Sequence, residues 1–145
     1  NIPVIAAGGI ADGRGIAAAF MLGASAVQMG TAFLRCGEAD VCEPHRERLR
    51  MASESSTVVS DVVTGRPARY VKNRLVEELS QPGAKALPFP AQSALISRLE
   101  QLEDGDLMGL YAGQSAALGR DLSAENLLDA LVKETDERLT AFTAR

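Results

Sequence analysis

Residues 2–34 read as strand, glycine turn, helix, strand, glycine turn, and that order confines the chain to a β/α architecture with parallel strands. Ile2, Val4, Ile5, Ala6 and Ala7 make a short apolar run that ends at Gly8-Gly9. Such a run predicts a strand buried on both faces, as in parallel sheets. Asp12 is a good helix N-cap, and Ile16, Ala17, Phe20 and Met21 then recur at helical spacing before Gly23 closes the helix. Ala26, Val27 and Met29 form a second short strand, which ends at Gly30-Thr31.

Glycines at two successive strand ends have a chemical use. In β/α folds ligands sit beyond the carboxyl ends of the strands. Gly8, Gly9 and Gly30 lack the Cβ atoms that would hold an anion away from backbone N–H groups, and such amides at a helix start attract anions. In (β/α)8 barrels a phosphate is often held by the loops after strands 7 and 8, beside a short extra helix. Thr31 adds a hydroxyl, and Thr31-Ala32-Phe33-Leu34 fits that short helix. Ordinary tight turns explain an isolated Gly-Gly equally well, and spacing alone names no ligand.

Composition narrows the classes. Hydrophobic residues at 46% with 23% charged residues describe a globular chain rather than a disordered one. The net charge of −4 argues against nucleic-acid binding. No apolar run reaches the roughly 18–20 residues that span a bilayer, so no membrane partner is expected. Cys36 and Cys42 lack the spacing of a paired metal-binding motif, and His45 is the only histidine, so no metal site is expected. The start carries no leader pattern, and the expected location is cytoplasmic.

The rest of the chain reads as small elements. Pro44 starts a short charged helix through Met51, read as a solvated face, with His45 as a surface or structural histidine because nothing assigns it a pocket or a partner. Ser55 to Val63 and Ala68 to Val71 flank the turn signal Thr64-Gly65-Arg66-Pro67 and predict a hairpin. Arg66 and Arg69 straddle that turn, where they serve either an anion or the loop itself. Asn73 to Leu79 and Gln92 to Leu102 predict helices, the second with Leu95, Ile96, Leu99 and Leu102 on one stripe. Gly109, Ala112, Gly113, Ala116 and Ala117 in residues 107–118 fit a closely packed helix, in which Gln114 is a buried amide in need of partners. Ser123 caps a last helix with Leu127, Leu128, Leu131, Val132 and Leu139 as its apolar stripe.

The segment AAGGIADGRGIAAAFMLGASAVQMGTAFL resembles the phosphate-binding region of the FMN-dependent nitronate monooxygenases, formerly called 2-nitropropane dioxygenases. The stretches TGRPARYVKNRLVEEL and LMGLYAGQSAALGR, in that order, resemble the carboxyl-terminal region of the same family, so the likeness runs from residue 2 to about 140. It implies a fold in class α/β: the carboxyl-terminal portion of an FMN-binding TIM (β/α)8 barrel, followed by a mostly helical extension. Residues 1–50 would be the last β/α units with their phosphate-binding loops, and residues 51–145 a small helical extension with a short hairpin. Earlier strands would lie upstream of Asn1. The activity implied is oxidation of alkyl nitronates, such as propionate 3-nitronate, with O2, giving a carbonyl compound and nitrite.

Within that resemblance, Gly8, Gly9, Gln28, Met29, Gly30 and Thr31 are expected to hold the FMN phosphate, and Gln114 to line the substrate pocket, with Tyr111 as a second contact. No residue of this chain matches the family's catalytic histidine, which lies on an earlier strand. An FMN-dependent enoyl-acyl-carrier-protein reductase shares the first segment and is the alternative within the fold. An inactive piece seen only as a packed assembly is the alternative outside it, since bare strand edges invite self-pairing and leave a homo-oligomer open.

Overall fold

The computed structural model describes residues 2–102 and 104–144. Asn1, where the sequence reading placed the entry from upstream strands, lies outside the described residues. The elements are β1 (Ile5–Ala7), α1 (Gly13–Met21), β2 (Ala26–Gln28), a 3-10 turn (Thr31–Phe33), α2 (Glu43–Arg50), β3 (Thr57–Ser60), β4 (Ala68–Val71), α3 (Arg74–Leu79), α4 (Ala91–Glu100), a second 3-10 turn (Ala116–Leu118) and α5 (Ala124–Thr143).

They form two compact units. The first comprises residues 1–40 and 118–145, the second residues 41–117. This differs from a division at residue 50. The last helix does not extend the second unit, because α5 packs on α1 and so returns to the β/α unit.

In the first unit β1 and β2 are parallel, with Ile5 opposite Ala26, Ala6 opposite Val27 and Ala7 opposite Gln28. Parallel neighbours require a crossover connection, and α1 supplies it. The core joins Ala11, Ile16, Ala32, Cys36, Leu127 and Leu131, with Val27, Met29 and Phe33 packed against it. The expectation of a strand buried on both faces is corrected: Ile2 is 90% exposed, Val4 63% and Ile5 60%. Two strands and α1 do not enclose a sheet, so the apolar character of β1 is left uncovered within this unit.

Helix α5 starts as its sequence predicts, with the Ser123 hydroxyl accepting the Asn126 N–H at 3.2 Å. Glu38 adds a second cap, its carboxylate accepting the Ala124 N–H at 3.0 Å. The buried stripe is narrower than the hydrophobicity implies. Leu127 and Leu131 are buried, Leu128 and Val132 are more than half exposed, and Thr135 takes the next core position. Its hydroxyl is satisfied by donating to the Leu131 carbonyl at 2.6 Å.

In the second unit β3 and β4 pair antiparallel, from Thr57 opposite Val71 to Ser60 opposite Ala68. The core is Val62, Val63, Tyr70, Leu75, Val76 and Ile96. Residues 107–115 are not a helix, in contrast to the reading of their small residues as helix packing. Residues 110–112 run along β4, with Tyr70 bridged antiparallel to Tyr111, the Val71 N–H donating to the Leu110 carbonyl and the Ala112 N–H to the Arg69 carbonyl. Small residues serve here to let a strand approach, since a Cβ on Gly109 would press on the Val63 side chain. On α4 only Ile96 of the predicted leucine-rich stripe is fully buried, while Leu95 and Leu102 are exposed. Buried Gln92 anchors that helix, its amide donating to the Val62 carbonyl and accepting the Leu87 N–H.

Candidate anion site at two parallel strand ends

The register fixes the site. Because Ala7 lies opposite Gln28 in a parallel pair, the residues that follow them, Gly8-Gly9 and Met29-Gly30-Thr31, emerge together at the carboxyl edge of the sheet. Gly8 and Gly9 both have positive φ, 87° and 73°, which turns the chain sharply in a conformation that L side chains rarely adopt. Gly30 precedes the 3-10 turn, whose first amides point back toward the strand end. A Cβ built on Gly8 or on Gly30 meets nothing within 4 Å, so the space beside both is open. Gly8, Gly9, Gln28 and Gly30 are exposed, and Met29 and Thr31 are partly buried.

The first amides of α1 do not face an anion site, because two carboxylates already occupy them. Asp12 accepts the Gly15 N–H at 3.1 Å, and Glu134 of α5 accepts the Gly13 N–H at 3.0 Å. Glu134 also receives both terminal nitrogens of Arg120, at 2.6 and 3.0 Å. Hydrogen bonds from Arg120, with the Gly13 N–H, outweigh burial and hold the Glu134 carboxyl below its ordinary range. Glu134 had no signal in the sequence, since a charged residue on an exposed helix face reads as solvated.

Gln114 is not part of this unit. It belongs to the second unit, and it is an exposed residue in a turn rather than the buried amide its apolar neighbours predict. Tyr111 is half exposed, and its ring stacks on that of buried Tyr70 with centroids 4.7 Å apart. Burial pushes the Tyr70 hydroxyl up to about 12, so it remains protonated. His45 is partly buried on α2, with Nε2 2.9 Å from the Tyr111 carbonyl oxygen. Burial lowers its pKa from the ordinary value.

The arginines at the hairpin turn are engaged locally. The Arg66 guanidinium lies 4.1 Å from the centroid of the Phe89 ring, and Arg69 donates to the Thr57 hydroxyl at 3.2 Å. On α2, Arg50 pairs with Glu43 and Arg48 with Asp106, as befits a solvated face, while Leu49 alone is buried. Among the described residues no group of three or more His, Cys, Asp or Glu side chains is arranged to hold a metal ion. No helix among them is long and apolar enough to cross a membrane.

The chain is similar to known proteins over most of its length. It is 43% identical over 139 residues to a nitronate monooxygenase of Pseudomonas aeruginosa, an alignment covering 92% of this chain and 40% of that protein. It is 38% identical over 141 residues to a probable nitronate monooxygenase of Staphylococcus saprophyticus, covering 94% and 40%. Among solved structures, a nitroalkane oxidase from Streptomyces ansochromogenes superposes with a TM-score of 0.90 at 38% identity, covering 98% of this chain and 42% of that one. FabK from Thermotoga maritima superposes with a TM-score of 0.84 at 36% identity, covering 99% and 47%. The chain thus spans about 40% of the length of the curated relatives it matches. The family profile of nitronate monooxygenase matches residues 1–134, and with the paired glycine turns at adjacent strand ends it shows that this chain belongs to the nitronate monooxygenase family.

Proposed function

We propose that this chain holds the phosphate of FMN in a flavin-dependent nitronate monooxygenase that oxidises alkyl nitronates with O2. The observation that carries the reading is the register of β1 and β2, which sets Gly8-Gly9 beside Met29-Gly30-Thr31. Phosphate needs several convergent donors, and amides of two glycine turns supply them without a lysine. The open space at Gly8 and Gly30 is what a phosphate cradle requires and what a side chain would fill.

In this reading the roles are divided. Gly8, Gly9 and Gly30 let the backbone approach the phosphate, Thr31 offers its hydroxyl, and Gln28 and Met29 form the wall from which the second turn starts. The flavin, when bound, supplies the redox chemistry, and this chain fixes its position. Gln114 is the pocket-lining candidate of the second unit. The remaining β/α units of a complete barrel would cover the exposed apolar residues of β1, and the base that receives the substrate proton would come from one of them.

The test compares FMN with riboflavin, which lacks the phosphate. Full-length protein should bind FMN much more tightly, and Gly30→Ala should weaken FMN by about tenfold or more, equivalent to ~1.4 kcal/mol, with little effect on riboflavin. Equal binding of both flavins by the unaltered protein would remove the cradle from the account. The likeness to FabK supports a second reading, an enoyl reductase of the same fold. Flavin reduction by NAD(P)H without nitronate-dependent O2 uptake would favour it.

A further inference from the structure

We propose that His45 is a positioning residue: through the Tyr111 carbonyl it holds the segment that carries Gln114. This inference rests on the reading of Gln114 as a pocket-lining residue.

The hydrogen-bond pattern leads to it. Val71 donates to Leu110, and Ala112 donates to Arg69, so the bonds to β4 come from the residues on either side of Tyr111. Tyr111 therefore sits at a non-hydrogen-bonded position of the antiparallel pair, and its own N–H and C=O point away from β4. That outward carbonyl lies 2.9 Å from His45 Nε2, which must carry the hydrogen because a carbonyl only accepts. His45 thus ties the edge that β4 cannot reach to α2.

Upstream of Gln114 the segment is fixed at Gly109 to Glu100, Met108 to Asn73, Leu110 to Val71 and Ala112 to Arg69. Downstream, Ala116 is buried, and its N–H returns to the Gly113 carbonyl. Gln114 lies between these anchors, three residues past Tyr111. The stacked Tyr70 ring fixes the side chain of Tyr111, and His45 fixes its main chain.

Hydrogen–deuterium exchange by mass spectrometry on the full chain tests this, with His45→Ala and His45→Gln. In His45→Ala, peptides covering residues 107–115 should exchange roughly five- to tenfold faster, the effect of losing one hydrogen bond, while peptides of α5 stay unchanged. His45→Gln keeps an N–H donor and should recover most of the protection. With a nitronate substrate, KM should rise several-fold in His45→Ala with kcat within about twofold, and FMN affinity should stay as before. Unchanged exchange at 107–115, exchange raised uniformly along the chain, or faster exchange with an unaltered KM would each overturn the proposal. If the unaltered protein turns over no nitronate, the nitronate reading fails by itself, and exchange with the His45→Gln rescue still decides whether His45 holds the segment.

Discussion

Glu134 closes the start of α1: its Oε2 accepts the Gly13 N–H at 3.0 Å, and the two helices touch there backbone to backbone. A methyl group on Gly13 would come within 2.6 Å of the Thr135 nitrogen and closer still to the Glu134 Cβ. Gly13→Ala must therefore push α5 off α1. The expected loss is about 1–3 kcal/mol, in the range of overpacked cores, and a urea titration followed by circular dichroism measures it. An unchanged midpoint would mean that the crossing is looser than these distances.

Acid should weaken the first unit through the same carboxylate. Arg120 holds the folded Glu134 below its ordinary 4.5, and for Asp12 the Arg14 and Gly15 hydrogen bonds outweigh burial and keep it below 3.8. Both groups bind protons less readily when folded than unfolded. Their contribution is complete above the ordinary carboxylate values and is lost as the pH falls through the lower folded ones. Glu134→Gln should flatten the acid limb of stability measured from about pH 6 down to about pH 3.

His45 acts in a different window. Burial lowers its folded pKa from 6.5, with the Tyr111 carbonyl opposing that shift. The unfolded chain takes the proton first as the pH drops, so the contribution of His45 is complete above 6.5 and is lost between that value and the lower folded one. Urea midpoints collected across that range should fall in the unaltered protein and hold level in His45→Gln.

Asn73 is buried and makes three hydrogen bonds, accepting the Val76 N–H and donating to the Gly105 and Met108 carbonyls. Asn73→Ala should cost about 2–4 kcal/mol, because it leaves three backbone groups short of a partner. Ser123→Ala removes one cap bond at a partly exposed helix start and should cost about 1 kcal/mol. Asn73→Asp should fare no better than Ala, since it keeps the cap and turns both donors into acceptors. Thermal melts of the three variants rank them.

The two glycine turns separate stability from binding. Gly8 has a φ of 87°, so Gly8→Ala should cost about 1 kcal/mol of backbone strain despite the open space. Gly30 has a φ of −106°, ordinary for any residue, and Gly30→Ala should leave stability within ~0.5 kcal/mol. Both should weaken FMN, so a melting curve read beside a flavin titration distinguishes the strained position from the unstrained one.

Local signals in the sequence specified the parts of this chain that depend on neighbours in sequence. Asp12, Ser123 and Gly23 mark helix ends by backbone chemistry that needs no distant partner, and they are found where that chemistry puts them. The parallel pair and the hairpin followed from apolar runs between glycine turns. Misread were the features decided by distant contacts. The small residues near 109–117 carry the same pattern whether they pack as helix or lie flat along β4. Gln114 was assigned burial from its apolar neighbours, although a turn exposes it. Glu134 and Arg120 are separated by 14 positions, and Glu134 by 121 from Gly13, so no spacing rule brings them together. The two glycine turns were legible because a turn at the end of an apolar run is a main-chain feature that needs no distant partner.

The tyrosine stack has an optical consequence. The sequence contains no Trp and two Tyr, and both rings belong to the single pair formed by Tyr70 and Tyr111. Tyrosine emission from this chain therefore originates at one spot, the seam between β4 and the segment bridged to it at Tyr111. Any event that parts those rings can be followed in real time without attaching a dye.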